Sequence, residues 1–336
     1  MTSPRDGAPE PRSRAANDSR PSEAASRYPG TDGHPPAPVV WSPRYEVDIG
    51  PHVFPTAKYR LVRDALRARG RFRPGDFVEP APASWEEVAR VHSAEYIAKI
   101  RAGSFTAREL LTLELPFSAA LREASLLCAG GTLLASRTAL RAGACAHLGG
   151  GFHHAFPGHG EGFCLINDVA VAAAAVLAEG LAQRVSVIDL DVHHGNGTAA
   201  IFASEPRVFT FSMHQERNYP AVKPPSDLDV GLADGVGDAE YLDLLERSLG
   251  PVVDGHRPSL ALYLAGADPY REDQLGGLAL TRAGLLARDR LVLERCRAAG
   301  VAVAVVLAGG YARDTRDTVA IHTATVEATL DAASRA

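Results

Sequence analysis

Short apolar runs set off by glycine, proline and charge begin at Val39 and recur to the C-terminus. Val39-Val40-Trp41, Cys145-Ala146-His147-Leu148, Val185 to Leu190, Val208 to Met213, Leu260 to Leu264 and Val301 to Leu307 read as strands. Between them, Ser118 to Ala142 and Leu278 to Ala299 are rich in Ala, Leu and Arg and predict helices. Strands that are apolar on both faces and spaced by helices predict an α/β fold with a central, mainly parallel sheet. In such sheets ligands bind outside the carboxyl ends of the strands. Each of the last five runs ends in polar or glycine-rich sequence: Gly149 to His154, Asp191 to His194, His214-Gln215, Ala265 to Asp268, and Ala308 to Tyr311. Those five ends are therefore expected to deliver one site.

Residues 1 to 38 contrast with this pattern, since they contain no Ile, Leu, Val, Phe or Trp. They cannot bury enough apolar surface to offset ordering entropy and are expected to form a disordered tail. From residue 39 to residue 336 no second biased linker or internal repeat interrupts the pattern, which predicts one catalytic domain. A formal net charge of -5, with both signs well mixed, gives no electrostatic case for nucleic acid or an anionic membrane. Cys128, Cys145, Cys164 and Cys296 show no C-x-x-C spacing and read as reduced, buried residues. Without a run of membrane-span length or an apolar leader, the expected location is cytoplasmic.

The chemistry concentrates at residues 189 to 197, Asp-Leu-Asp-Val-His-His-Gly-Asn-Gly. Asp189, Asp191 and His193 stand at period two, so at a strand end their side chains point into one small volume. A buried strand has no packing use for such groups, and each unpaired charge would cost several kcal/mol, so a cation or a hydrogen-bond network must face them. Asp191 and His193 offer an oxygen and a nitrogen ligand, and Asp268 offers a third, leaving positions open for water and substrate. Mixed O/N ligation suits Zn²⁺ and also Fe²⁺ or Mn²⁺. His153 and His154, after three glycines, are candidates for general base and acid, and Tyr311, after Gly309-Gly310, for a phenol that hydrogen-bonds an oxyanion. Together they describe metal-assisted hydrolysis of an amide.

Other features keep plainer readings. Gly149 to Gly151 lacks the Lys and Ser/Thr of a phosphate loop. His52, His92, His147, His159, His256 and His322 are expected to be surface or core hydrogen-bonders, and the arginines between Arg60 and Arg73 a solvated helix face.

Taken together, these residues resemble the histone deacetylase family of the arginase/deacetylase fold, most nearly its class IV enzymes and their bacterial relatives. The likeness runs from Val39 to the C-terminus through Ser42-Pro43-Arg44-Tyr45, His52-Val53-Phe54-Pro55, Val91-His92-Ser93 and Gly149 to His154. It continues through Gly162-Phe163-Cys164, Ile188 to Asp191, His194-Gly195-Asn196-Gly197, Ala265 to Asp268, Leu275 to Leu278 and Gly309-Gly310-Tyr311. The resemblance implies Zn²⁺ on Asp191, His193 and Asp268, His153 and His154 as the tandem histidines, and Tyr311 polarising the acyl carbonyl. It implies that Asp189 orients His153 beside a structural K⁺ site completed by Ser212 and by main-chain oxygens of Asp189, Asp191, His193 and Met213. Phe163 and Tyr219 resemble the aromatic pair of an acyl-lysine tunnel, with Gly162 and Phe152 beside them. Asn196 stands where many members carry a second Asp.

The implied activity is removal of an acyl group, short or long, from the lysine amine of a protein or peptide. An acetylpolyamine amidohydrolase acting on small acylated amines is the alternative. A two-metal, arginase-like hydrolase is disfavoured because Pro269-Tyr270 supplies no carboxylate beside Asp268. A silent acyl-lysine-binding module would have lost a ligand or Tyr311, and neither is lost. The sequence sets no oligomeric state.

Overall fold

The computed structural model describes residues 38–333, so the expected tail lies, but for Pro38, outside the described residues. Runs of β-branched and aliphatic residues form eight strands: β1 (Val39–Val40), β2 (Phe77–Val78), β3 (Ala144–His147), β4 (Val185–Asp189), β5 (Val208–Gln215), β6 (Leu228–Leu232), β7 (Leu260–Leu264) and β8 (Ala302–Val306). They lie in the order β2-β1-β3-β8-β7-β4-β5-β6 in one sheet, with every neighbouring pair parallel. Parallel strands need crossovers, and of the ten α-helices among the described residues nine lie between strands, while the last follows β8. These are α1 (Lys58–Ala68), α2 (Trp85–Val88), α3 (Ala94–Ala102), α4 (Ala107–Leu113), α5 (Ala119–Ala142), α6 (Asp168–Ala178), α7 (Asn196–Phe202), α8 (Asp238–Leu249), α9 (Arg282–Ala298) and α10 (Thr315–Ala333).

Successive residues of the central strands feed opposite faces. Leu260, Leu262 and Leu264 pack into one core with Val62 of α1, Leu127 of α5 and Val169 of α6, while Ala261 and Tyr263 pack into a second with Leu245 of α8 and Val292 of α9. Burial of such a side chain stabilises by roughly 1.5–3 kcal/mol, so two filled faces hold the sheet between its helices. This single α/β domain is the architecture that the strand and helix spacing predicts.

Two strands were not expected. β2 is only two residues long and half-buried, too short to show a period. β6, Leu-Asp-Val-Gly-Leu, sits at the sheet edge with mostly partial exposure, so its polar positions hid it. The helix expected from Leu278 begins instead at Arg282, because Thr281 caps it by accepting the Gly284 N–H. The helix expected from Ser118 starts one residue later for the same reason, with Ser118 capping Leu121. All four cysteines are free and buried. No helix among the described residues is long and apolar enough to cross a membrane.

Candidate active site

Four adjacent central strands, β3, β8, β7 and β4, bring their carboxyl ends together. After β3, Gly150 and Gly151 take φ of +74° and +87°, a conformation that strains any residue with a Cβ. A Cβ on Gly151 would also sit 2.6 Å from the Ala308 Cα, so glycine lets this loop pass beside the end of β8. Asp168, in the first turn of α6, accepts the N–H groups of Gly151 at 3.0 Å and Phe152 at 2.7 Å. The loop held in this way delivers His153 and His154, both buried.

β4 ends at Asp189, so Asp191 and His193 lie beyond the strand rather than on it. Their alternation persists because Asp189 Oδ1 accepts the Asp191 N–H at 3.2 Å and Asp191 Oδ1 accepts the His193 N–H at 3.0 Å. From below, the fully buried Arg288 of α9 donates to the carbonyls of Leu190 at 3.3 Å and Gly266 at 2.7 Å, tying the ends of β4 and β7 together. Asp289, 2.8 Å away, is its counter-ion.

Three donors converge on one point. His193 Nδ1 lies 2.9 Å from Asp191 Oδ1 and 3.4 Å from Asp268 Oδ2. Asp268 Oδ1 accepts the Val192 N–H at 2.9 Å, whereas its Oδ2 is buried with no hydrogen-bond partner. An orphaned carboxylate oxygen beside a second carboxylate and an imidazole is a donor set whose charge calls for a cation. Burial and the neighbouring Asp191 push the Asp268 carboxyl well above the usual carboxylate range. Burial disfavours the charged His193 ring, but its hydrogen bond to Asp191 and the negative charges of Asp191 and Asp268 win and raise it to about 10. A divalent ion binding here must therefore displace a proton.

The tandem histidines have unlike surroundings. His153 Nδ1 is 2.7 Å from Asp189 Oδ2, and burial is outweighed by Asp189 and Asp191, which raise His153 to about 9. His154 Nδ1 is 2.7 Å from the Asn196 Oδ1, a neutral partner, and burial together with the positive His153 and His193 drives it well below the ordinary range. Their Nε2 atoms are 3.1 Å apart. One ring favours the cation and its neighbour the free base.

Above them lies a cavity of about 220 Å³ walled by Phe152, Gly162, Phe163, Tyr219 and Tyr311. Phe163 stacks on Phe54 with centroids 6.2 Å apart, and Tyr219 stands edge-on to His154 at 5.0 Å. Asp273 accepts the Tyr311 N–H at 2.7 Å and those of Leu275 and Gly276, so this further carboxylate near Asp268 is engaged in holding the loop. Beneath Tyr311, the fully buried Lys58 donates to the Ala308 carbonyl at 2.6 Å, and burial lowers its ammonium to about 8 against the pull of Asp268, Asp191 and Asp273.

The fifth expected strand end goes elsewhere. His214, at the end of β5, meets His194 and Asp229 in a separate cluster, with rings 4.7 Å apart and His194 Nε2 3.1 Å from Asp229 Oδ1. Gln215 accepts the Gly277 N–H at 2.8 Å and so props the loop behind the cavity without facing it. The β4–β5 register sets Ser212 beside Asp189, and the Ser212 hydroxyl contacts His214 Nδ1 at 3.0 Å. Among the histidines given no role, His52 packs edge-on against Phe163 at 4.8 Å, and His159 pairs with Glu161 at 3.2 Å.

Lys58, Glu161, Asp273 and Arg288 escaped the sequence reading, and Phe54 entered it only within the His52–Pro55 motif, without a role. For two of them a signal existed. Arg288 lies on the buried stripe Leu285, Arg288, Asp289, Val292, and Lys58 on the stripe Lys58, Val62, Leu66, so each is a charge where helical period demands an apolar residue.

A histone deacetylase domain model matches residues 52–326. The chain belongs to the histone deacetylase family. It is 43% identical over 85% of its length to an uncharacterised Picosynechococcus protein, covering 95% of that protein. It is 32% identical to a probable deacetylase of Archaeoglobus fulgidus, over 74% of this chain and 73% of that one. With the acetoin utilization protein AcuC of Bacillus subtilis it shares 32% identity over 72% of this chain and 68% of the relative. Among solved structures it resembles a histone deacetylase homologue complexed with SAHA, with TM-score 0.74, 25% identity, and coverage of 87% of this chain and 84% of that one. As a member of this family the protein is a hydrolase of amides.

Proposed function

We propose that this histone deacetylase family member is a zinc-dependent deacylase of acylated lysine side chains. One observation carries the reading: Asp191, His193, the His153–His154 pair and Tyr311 all border a single cavity, with Asp268 clustered behind them on Asp191 and His193. Zn²⁺ held by those three donors, or Fe²⁺ in its place, would supply Lewis acidity that activates water and polarises the acyl carbonyl. The chain's own residues do the rest. His154, kept neutral, accepts the proton of the attacking water at Nε2 and returns it to the leaving lysine amine. His153, kept cationic by Asp189, offsets the charge that develops on the acyl oxygen, to which the Tyr311 hydroxyl donates. Phe163 and Tyr219 flank the apolar lysine stem, with Phe152 and Gly162 completing the wall. A structural K⁺ at Ser212, Met213 and the main-chain oxygens of Asp189, Asp191 and His193 would brace the β4–β5 ends, and their register supports it.

A second reading, hydrolysis of acetylated polyamines, is favoured by Glu114, which lines the same cavity and would attract a distal ammonium. The test is a panel of acetyl-, octanoyl- and myristoyl-lysine peptides beside acetylated polyamines, run on protein of measured zinc content. A higher kcat/KM on a lysine peptide is expected. The reverse ranking assigns the polyamine activity, and no turnover of any member overturns both.

A further inference from the structure

Asn196 lacks the charge that an aspartate would place behind His154, yet a carboxylate stands one residue further out. Glu161 Oε1 accepts the Asn196 Nδ2–H at 2.8 Å and the Tyr219 hydroxyl at 3.0 Å, while its Oε2 faces His159 Nε2 at 3.2 Å. Burial opposes its ionisation, but the bonds from His159, Asn196 and Tyr219 prevail and hold the Glu161 carboxyl below its ordinary value. An ionised carboxylate can only accept, so the Asn196 atom facing it must be the amide nitrogen. The Asn196 oxygen is thereby turned to His154 and can only accept there. His154 must then carry its hydrogen on Nδ1 and its lone pair on Nε2, the atom that lies 3.1 Å from His153 Nε2.

The segment that carries Glu161 is held rigidly. Glu161 exchanges backbone hydrogen bonds with Cys164 at 3.1 and 2.9 Å, and Gly162 and Phe163 donate to the carbonyls of Thr112 and Leu113 at 3.1 and 2.9 Å. Gly162 and Phe163 both take positive φ, +51° and +68°, a strained conformation for phenylalanine. A Cβ on Gly162 would lie 2.8 Å from His154 Cδ2 and 2.9 Å from the Tyr219 ring. One tight turn thus fixes Glu161 and Phe163 together against the base and the tunnel wall.

We propose that Glu161 is the positioning residue of the general base: it orients the Asn196 amide, sets the Nδ1–H tautomer of His154, and ties the Tyr219 phenol to the same carboxylate. The proposal rests on the deacylase reading for its catalytic consequence, but the tautomer is measurable without turnover.

The test exchanges the charge between the two positions. Glu161→Leu fills the space but removes the acceptor, freeing the Asn196 amide to flip, and should lower kcat by about tenfold or more, as expected when a general base is partly in the wrong tautomer. Asn196→Asp alone sets two carboxylates face to face and should also lose activity. Combining it with Glu161→Gln, whose amide donates to the new carboxylate, should restore kcat to within about threefold of wild type, since a bidirectional acceptor cannot flip wrongly. Tyr219→Phe, which breaks only the phenol bond, should change KM more than kcat. In zinc-loaded protein, the imidazole ¹⁵N spectrum should report an Nδ1–H His154 in wild type and a mixture in Glu161→Leu. The proposal is overturned if Glu161→Leu leaves kcat and tautomer unchanged, or if the double variant is no more active than Asn196→Asp. Wild-type protein that shows the Nδ1–H tautomer but hydrolyses no amide would instead overturn the deacylase reading.

Discussion

Two histidine–aspartate clusters grow from consecutive residues, His193 and His194, and differ in what they leave unsatisfied. In the first, Asp191, His193 and Asp268 are all buried, and Asp268 Oδ2 has no hydrogen-bond partner. In the second, His194 and His214 are buried but Asp229 is a third exposed, its Oδ1 pairs with His194 and its Oδ2 accepts the Ser226 N–H at 2.9 Å. Both sets use only carboxylate and imidazole donors, two carboxylates with one imidazole in the first and one carboxylate with two imidazoles in the second. A buried, orphaned carboxylate oxygen, Asp268 Oδ2, gives the first set a charge that calls for a cation, whereas in the second the unpartnered buried atom is the His194 Nδ1 and both carboxylate oxygens are hydrogen-bonded.

The sharpest way to break this comparison is to remove one carboxylate from each cluster. Asp268→Ala is expected to abolish both zinc occupancy and turnover, whereas Asp229→Ala should leave one zinc per chain, read by elemental analysis and amide hydrolysis. If zinc followed Asp229 instead, the ranking of the two clusters would be reversed.

A smaller loss is expected at the donor that only the first cluster possesses. Tyr311→Phe should lower kcat by roughly 10² to 10³ with zinc retained, the usual cost of one oxyanion donor. An unchanged kcat on a soluble acetyl-lysine peptide would remove Tyr311 from the chemistry.

The third test concerns the charge beneath the first cluster. Lys58 is lowered to about 8 in the folded protein against 10.5 for the free side chain. At pH below about 8 both states carry the proton, so the cost of the buried ammonium, about 3 kcal/mol at 1.36 kcal/mol per pH unit, is fully present. Between about 8 and 10.5 the unfolded chain binds more protons than the folded one, so this group makes stability rise with pH. Lys58→Met should remove that rise, measured as urea unfolding free energy from pH 7 to 10. Parallel pH profiles for variant and wild type would show that Lys58 is not buried in its charged form.

Much of the site could be read in the chain because local spacing encodes it. The Gly-Gly-Gly-Phe-His-His and Asp-x-Asp-x-His segments need only a strand before them to aim their side chains, and β3 and β4 supply it. His214-Gln215 looked the same by that criterion and does not reach the cavity, since β5 stands one strand further from the β7–β8 centre than β4 does. Strand position in the sheet is a long-range property, and no window of sequence contains it.

By itself the sequence determined the α/β class, the strand ends that carry chemistry, the tandem histidines and the three candidate ligands, because periodicity and turn residues act over a few positions. Tertiary structure alone decided the rest. It joined the end of β7 to Asp191 through Gly309, whose carbonyl accepts the Ala267 N–H at 2.9 Å and whose N–H donates to Asp191 Oδ2 at 2.8 Å. Lys58 was brought under Ala308, 250 residues away, and Glu161 behind Asn196, 35 residues away. These contacts follow from how parallel crossovers stack strands that are distant in sequence, and a charge in a buried place declares its purpose only when its partner is in view.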